Sequence, residues 1–144
     1  PAVESPQARQ ARESQDNLPL GQGELVLVVD DEAAILEIAK GTLEAYGYKA
    51  MTAADGTEAV ALYAQHKDEI KVVLTDLGMP HMDGLTTIRI LQKMNPQIKI
   101  IATSGLRSEG KASDVASLGV KAFLSKPYTA DKLLMTLAGL LGGS

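Results

Sequence analysis

Short apolar runs alternate with amphipathic stretches along most of the chain. The runs are rich in β-branched residues, which is typical of parallel strands that are covered on both faces. The predicted strands are residues 25–29, 49–53, 72–76, 98–103 and 120–124. Each strand is followed by a stretch whose apolar residues recur at the spacing of a helix.

Apolar spacing and end signals define five predicted helices. Gly47 closes the first helix as a C-terminal cap, and Asn95-Pro96 closes the third. The fourth helix is rich in Ala and Ser and runs to about Leu118. The residues predicted to face inward are Ile35, Ile38, Ala39, Leu43 and Tyr46 in the first helix, Ala59, Leu62 and Tyr63 in the second, Leu85, Ile88, Leu91 and Met94 in the third, and Leu133, Leu134, Leu137 and Leu140 in the fifth.

The alternation of strands and helices predicts a single α/β domain. Such a pattern gives a doubly wound, five-stranded parallel sheet with helices on both faces. The common order for five strands is 2-1-3-4-5, the flavodoxin-like (βα)5 arrangement. Its ligand crevice lies outside the carboxyl ends of strands one and three. Side chains at those two ends are therefore the first candidates for function.

The two ends of the chain differ in composition from this core. Residues 1–23 are rich in Pro, Gln, Ser, Arg and Glu, so they could bury little apolar surface on folding. We predict that they form a flexible linker, that residues 24–141 form the folded domain, and that residues 142–144 are a flexible C-terminal end. The first residue is a proline rather than a methionine, which suggests a piece of a longer protein.

Charge and composition narrow the function classes. The net charge is −4, and no run of basic residues occurs, which argues against a nucleic-acid surface. There is no cysteine, so a disulfide framework and a thiolate metal site are excluded. No apolar run approaches the roughly 18 residues that a membrane span needs. We therefore expect a cytoplasmic domain without membrane contact of its own, in a parent protein that could be membrane-anchored.

Polar side chains lie at the carboxyl ends of four predicted strands. Asp30 and Asp31 follow the first strand, and Asp76 ends the third. Ser104 follows the fourth strand, and Lys126 lies just beyond the fifth. Because the first and third strands are neighbours in the predicted order, their three carboxylates should meet at one edge of the sheet.

The folded portion, from about Glu24 to Leu141, resembles the receiver domain of two-component signalling. This domain occurs in bacterial response regulators and in hybrid sensor histidine kinases. The matching residues stand in the order and at the spacing of the family. They are Val28-Val29-Asp30-Asp31-Glu32, Asp76 with Met79-Pro80 and Met82-Asp83-Gly84, Thr103-Ser104-Gly105, and Lys126-Pro127.

The resemblance implies that Asp76 accepts a phosphoryl group. The donor is expected to be a phosphohistidine on a histidine kinase or a histidine phosphotransfer protein. Asp76 would act as a carboxylate nucleophile, while Lys126 and a metal ion spread the charge that builds on the phosphoryl oxygens. Such a domain catalyses its own aspartyl phosphorylation and dephosphorylation, and it turns over no small metabolite.

The implied metal is Mg²⁺. Three carboxylates at close range repel one another, and a hard divalent cation relieves the repulsion by taking oxygen ligands. Asp31 is the expected direct ligand, together with Asp76 and the carbonyl of Gly78. Asp30 is expected to act through a water or to shape the acidic pocket.

The resemblance also implies a switch. Ser104 fills the position of the switch hydroxyl, and Phe123, the only Phe of the chain, that of the aromatic switch residue. Phosphorylation would reshape the surface of the fourth helix, fifth strand and fifth helix, which controls a partner and could form a homodimer. Residues 17–24 resemble the junction between a histidine kinase ATP-binding domain and a C-terminal receiver, so the expected parent is a hybrid kinase.

Structural roles compete with these assignments. Asp30-Asp31-Glu32 could be an acidic N-cap, Lys126 a solvated turn lysine, and Phe123 plain core. Ser104 could be a helix cap, and Thr103 beside it leaves the register uncertain by one residue. Alternation of side chains along the strand favours Ser104 as the site hydroxyl.

Three other function classes share the architecture. A hydrolase or phosphotransferase with a strand-end Asp nucleophile would want a second acid two residues later, where Gly78 stands. A flavodoxin-like cofactor domain needs a hydroxyl- or glycine-rich phosphate loop after the first strand, where this chain has three acids. A non-phosphorylated interaction module that keeps the fold and has lost the switch is the main alternative, although the intact acids and Lys126 count against it.

Overall fold

The apolar runs of the sequence form a five-stranded parallel sheet. In the computed structural model the strands are β1 (Leu25–Val29), β2 (Lys49–Ala53), β3 (Ile70–Asp76), β4 (Ile100–Ser104) and β5 (Ala122–Ser125). They lie in the order β2-β1-β3-β4-β5, and all neighbouring strands are parallel. The predicted flavodoxin-like fold and its strand order are confirmed.

The structure describes residues 19–78, 84–104, 119–126 and 128–142. Several sequence predictions concern residues outside these ranges. They are residues 1–18 of the predicted linker, Met79-Pro80 and Met82-Asp83 of the motif after Asp76, Gly105 and the fourth predicted helix, Pro127, and the last two residues. None of the described helices combines the length and the hydrophobicity that a membrane span requires.

Helices cover both faces of the sheet. In the described chain they are α1 (Ala33–Ala45), α2 (Gly56–His66), α3 (Gly84–Met94) and α4 (Ala130–Gly142), and α4 corresponds to the fifth predicted helix. On one face, α2 and α3 bury Tyr63 and Ile88 against the sheet. On the other face, α1 and α4 bury Leu43 and Leu134. This two-sided core holds the carboxyl ends of the strands together at one edge.

Three strand starts differ from the prediction. β3 begins at Ile70, two residues early, because the exposed Lys71 interrupts the apolar run while the pairing with β1 continues across a register shift. β4 begins at Ile100, two residues late, since the N–H of Ile98 donates to the carbonyl of Asn95 in a turn at 3.0 Å. β5 also begins two residues late.

Ile38 lies outside the core, contrary to the prediction. Its side chain is 68% exposed, whereas Ala39 and Leu43 are buried. Leu36 packs partly against the same cluster. The stripe of α1 that contacts the sheet therefore runs through positions 36, 39 and 43. Adjacent residues of a helix are about 100° apart, which turns Ile38 away from that stripe.

Gly47 ends α1 as its position in the sequence predicts. Its φ angle is +92°, a conformation that glycine adopts without strain. The N–H groups of Gly47 and Tyr48 donate to the carbonyls of Glu44 (3.4 Å) and Leu43 (2.9 Å). This pair of bonds is a Schellman cap, so the predicted C-terminal cap is confirmed.

The described end of the predicted linker lies against this cap. The N–H of Gly21 donates to the carbonyl of Tyr46 at 2.7 Å, and that of Gly23 to Gly47 at 2.8 Å. A Cβ atom on Gly21 would lie only 2.7 Å from the ring of Tyr48. The backbone of residues 21–23 is thus packed against the domain, ahead of the boundary that composition suggests.

Replacing Gly47 with alanine is expected to lower the free energy of unfolding by about 1–2 kcal/mol, the cost of a left-handed backbone for a residue with a Cβ. The new Cβ would also lie 2.5 Å from the carbonyl oxygen of Gly21. Gly41→Ala is the matched control, because that helical position has open space around it and should gain about 0.5–1 kcal/mol. Urea unfolding followed by circular dichroism measures both, and equal stabilities of the two variants would contradict the expectation.

Candidate functional site

Asp76 stands at the carboxyl end of β3, where the chain leaves the sheet. Its side chain is only 2% exposed. The Oδ1 atom accepts a hydrogen bond from the N–H of Gly78 at 3.2 Å. The N–H of Leu77 donates to the carbonyl of Thr103 on β4 at 3.0 Å. The turn therefore uses one carboxylate oxygen of Asp76 and leaves the other, Oδ2, for other partners.

Asp30 and Asp31 reach the same edge because β1 and β3 are neighbours. The N–H of Asp30 donates to the carbonyl of Ala53 on β2 at 3.1 Å, and its Oδ1 accepts from the N–H of Glu32 at 2.9 Å. Carboxylate oxygens of Asp30, Asp31 and Glu32 lie within 4.8 Å of one another. Glu32 is the N-cap of α1 but makes no side-chain cap bond. The alternative of an acidic cap thus lacks the hydrogen bond that would support it.

Lys126 forms ion pairs with the carboxylates of Asp30 and Asp76. Its Nζ atom lies 2.6 Å from Asp30 Oδ2, 3.1 Å from Asp76 Oδ2 and 4.0 Å from Glu32 Oε1. The backbone N–H of Lys126 donates to the carbonyl of Ser104 at 2.8 Å, which ties the end of β5 to the end of β4. The Lys126 side chain is 13% exposed, so the alternative of a solvated turn lysine is wrong.

The surroundings of Asp30, Lys126 and Tyr128 raise the pKa values of all three side chains. Burial raises the pKa of Asp30 above its usual value, although the hydrogen bonds from Lys126 and Glu32 lower it. Burial lowers the pKa of Lys126, but the hydrogen bond to Asp30 and the charge of Asp76 outweigh this, so its pKa is raised. Burial and then the charges of Asp30 and Asp76 raise the pKa of Tyr128 to about 12.

Two buried oxygen atoms of the site fit a divalent cation. Asp31 Oδ1 and Asp76 Oδ2 have no hydrogen-bond partner within the described residues. Asp76 Oδ2 forms the ion pair with Lys126 at 3.1 Å, so Asp31 Oδ1 is the oxygen of the two that is left without a partner among the described residues. A buried carboxylate oxygen without a donor is costly, and hard divalent cations take such oxygens as ligands. The residues present therefore suit Mg²⁺.

Thr103 and Ser104 differ in burial and bonding. Thr103 is the register partner of Asp76, so both side chains lie on one face of the sheet. Alternation between faces therefore does not select Ser104, contrary to the sequence argument. Thr103 is buried, and its hydroxyl donates to the carbonyl of Thr75 at 3.5 Å. Ser104 ends β4, is partly exposed and accepts a hydrogen bond from Lys126 through its carbonyl, so its hydroxyl is the more accessible of the two.

Phe123 lies in β5 with 40% of its side chain exposed. The alternative that it is plain core is therefore wrong. The fourth predicted helix, which would form part of the surface around Phe123, lies outside the described residues. The strand and the last helix of the predicted switch surface are present as β5 and α4.

Tyr128 is a site neighbour that sequence reasoning missed. With Ile35, Ile38 and Lys126 it lines a mainly apolar pocket of about 120 Å³ beside the carboxylates. The sequence feature that could have identified Tyr128 is its position two residues after the strand-end Lys126. Lys126, which also forms the ion pair with Asp76, is one of the residues that line this pocket.

Comparisons with known proteins point to one family. The model of the response regulator receiver domain matches residues 26–138. The sensor kinase CckA of Brucella abortus is 31% identical over 140 residues, which are 97% of this chain but 15% of that protein. The chemotaxis protein CheY of Bacillus subtilis is 32% identical over 110 residues, 76% of this chain and 90% of that protein.

A solved structure gives the same result. The response regulator protein TrrA of Thermotoga maritima, in complex with Mg²⁺ and beryllofluoride, superposes with a TM-score of 0.73 at 30% identity. The match covers 82% of this chain and 99% of TrrA. The similarity therefore extends over most of this chain and nearly all of TrrA.

Proposed function

The chain belongs to the response regulator receiver domain family of two-component signalling, and we propose that Asp76 is its phosphoacceptor. The observation that carries this proposal is the ammonium of Lys126 between Asp30 and Asp76, at 2.6 and 3.1 Å from their Oδ2 atoms. A cation at that distance from a buried strand-end carboxylate is placed to bind the oxygens of an incoming phosphoryl group.

The proposed reaction transfers the phosphoryl group of a phosphohistidine. An oxygen of the Asp76 carboxylate attacks phosphorus in line, and a P–O bond forms as the P–N bond to imidazole breaks. The bonding electrons stay on the imidazole nitrogen, which takes up a proton. Lys126 then contacts a phosphoryl oxygen as well as Asp30. Hydrolysis of the acyl phosphate at the same site would return the carboxylate, so the domain would catalyse both its phosphorylation and its dephosphorylation.

We assign the Mg²⁺ site to Asp31, Asp30, Asp76 and the carbonyl of Gly78. Asp31 is the direct ligand, because its Oδ1 is buried and has no hydrogen-bond partner among the described residues. Asp30 already holds Lys126 and the N–H of Glu32, so it is placed to act through a water. Bound Mg²⁺ would neutralise carboxylate and phosphoryl charge. The complex of TrrA with Mg²⁺ and beryllofluoride supports this assignment by similarity.

The proposed output is a change at the surface of β5 and α4. Added phosphoryl oxygens can be bonded by the Ser104 hydroxyl, whose backbone is already tied to Lys126. Phe123 on the same strand is 40% exposed, and it would move toward a buried position on phosphorylation. That surface, completed by the fourth predicted helix, would control a partner protein or a homodimer. Phosphorylation can shift these states only by its different contacts in each.

The proposed parent is a hybrid histidine kinase in the cytoplasm or anchored to a membrane. The match to the sensor kinase CckA includes nearly the whole chain, whereas the match to CheY covers 76% of it. The receiver would comprise residues 24–141, extended by residues 21–23, which pack against the cap of α1, and by Gly142, which ends α4. An immunoblot of the native protein that showed a mass near the 15.2 kDa of this chain would contradict the hybrid context.

Metal removal tests the proposed function. After incubation with acetyl phosphate and Mg²⁺, intact-mass spectrometry is expected to show one added phosphoryl group. Excess EDTA is expected to prevent the addition, because the carboxylates and phosphoryl oxygens would then repel one another. Failure to add phosphoryl and to bind beryllofluoride, both with Mg²⁺, would instead favour the non-phosphorylated interaction module.

A further inference from the structure

The fold gathers lysines at the edge of the sheet opposite Asp76. Lys67 follows α2, Lys71 lies at the start of β3, and Lys99 precedes β4. These three residues line one pocket of about 330 Å³, which we call the basal pocket. Its remaining lining residues are Tyr63, Asp68, Ile70, Asn95, Gln97, Ile98 and Leu141. Helix ends and strand starts meet at this edge, which is why residues far apart in sequence share the pocket.

The basal pocket carries positive charge on a chain whose net charge is −4. Its lining contains three lysines and one acidic residue, Asp68. Lys99 is held in place, since its Nζ donates to the carbonyl of Leu140 at 2.8 Å. Lys67 and Lys71 form no ion pair within the described residues, and both are exposed. Like charges that are unpaired and converge on a concave site favour an anion between them.

The lining of the pocket combines hydrogen-bonded polar side chains with buried apolar residues, which we call its floor. Asn95 Nδ2 donates to the Tyr63 hydroxyl at 3.0 Å, and Asn95 Oδ1 accepts from the N–H of Gln97 at 3.0 Å. The floor includes the buried Ile70 and Ile98. A volume near 330 Å³ is at the lower end of the range for small-molecule sites. These dimensions suit an anion with an organic part rather than a bare ion.

We propose that the basal pocket binds a small phosphomonoester of up to mononucleotide size. Lys67, Lys71 and Lys99 contact the phosphate, and the organic part lies against the apolar floor. The site is independent of the proposed phosphorylation of Asp76, because it uses no residue of that site. Attraction of lysines to the negative ends of helices accounts for Lys99 and Lys67, but it does not account for the shared pocket.

The test is a titration monitored by NMR amide shifts, with adenosine monophosphate, inorganic phosphate and adenosine as probes. EDTA is present throughout, which keeps Mg²⁺ from recruiting phosphate to Asp76. Adenosine monophosphate is expected to give saturable shifts around the basal pocket, inorganic phosphate to bind more weakly, and adenosine to give none. The contrast between the nucleotide and adenosine needs only the parent protein, so it does not depend on how variants fold.

A charge-matched pair of variants locates the binding. Lys67→Gln/Lys71→Gln is expected to weaken the nucleotide affinity about tenfold, the effect of losing two charged contacts. Lys40→Gln/Lys132→Gln removes the same charge from exposed positions outside the pocket, and it should change the affinity less than about twofold. The proposal is overturned by the absence of saturable shifts, by equal losses in the two variants, or by adenosine binding as tightly as the nucleotide.

Discussion

Replacement of Asp76 by asparagine is expected to abolish Mg²⁺-dependent phosphorylation by acetyl phosphate. The amide has nearly the same shape as the carboxylate, and its oxygen can still accept the hydrogen bond that Gly78 gives to Oδ1 at 3.2 Å. It lacks the anionic oxygen that attacks phosphorus. Intact-mass spectrometry should therefore find the adduct in the parent protein and none in Asp76→Asn.

Asp68→Asn is the matched control for that substitution. It makes the same chemical change at an exposed residue on the far side of the sheet, so full phosphorylation is expected. Circular dichroism should show that both variants are folded. An adduct of normal yield on Asp76→Asn would move the nucleophile to another residue. Hydroxylamine release of the parent adduct would identify it as an acyl phosphate, the species that a carboxylate nucleophile forms.

Lys126→Met is expected to lower the free energy of unfolding by about 3–5 kcal/mol at neutral pH without metal, the usual cost of removing one partner of a buried ion pair. Methionine keeps much of the side-chain volume but leaves Asp30 and Asp76 close together with no cation between them. Urea unfolding measures the loss. Lys40→Met, at an exposed position of α1, should stay within about 0.5 kcal/mol of the parent.

The pH dependence of this loss follows from the pKa directions. Burial already raises the pKa of Asp30, and removing Lys126 removes a contact that lowers it. A carboxyl group with a higher pKa folded than unfolded makes stability fall as pH rises through that interval. The deficit of Lys126→Met should therefore be small near pH 4 and full at pH 7.

Above neutral pH, the stability difference between parent and variant depends on the titration of Lys126 itself. The pKa of Lys126 is raised in the folded protein, so its contribution is complete below its usual value and disappears as pH rises through the folded value. The difference between parent and variant should then shrink again. A deficit that stayed constant from acid to neutral pH would contradict an electrostatic cause and point to lost packing.

Phosphorylation rate gives a second readout for Lys126→Met. Loss of one group that stabilises developing oxyanion charge typically costs about 10²–10³ in rate. We expect a slowdown of that order with acetyl phosphate and Mg²⁺. Because reduced stability does not slow a folded domain by this factor, the rate separates the role of Lys126 in the reaction from its role in the fold.

The topology of the sheet explains why the strand-end residues of the site lie close together, but not which of them pair. Parallel topology alone brought Asp30, Asp31, Asp76 and Lys126 to one edge, since strand ends on one edge are close whatever the side chains are. It did not indicate that Lys126 pairs most closely with Asp30, at 2.6 Å. That choice depends on rotamers and burial, which have no local signature in the sequence.

The sequence by itself determined the order of strands and helices, the strand-end positions of the acids, and the cap at Gly47, because these follow from local periodicity and backbone preference. Only the tertiary structure decided that Ile38 is exposed, that Thr103 is buried beside Asp76, and that lysines from three separate segments line the basal pocket. Those outcomes depend on how helices and strands pack and on which residues distant in the chain become neighbours. The residues adjacent in sequence determine neither the packing nor these contacts.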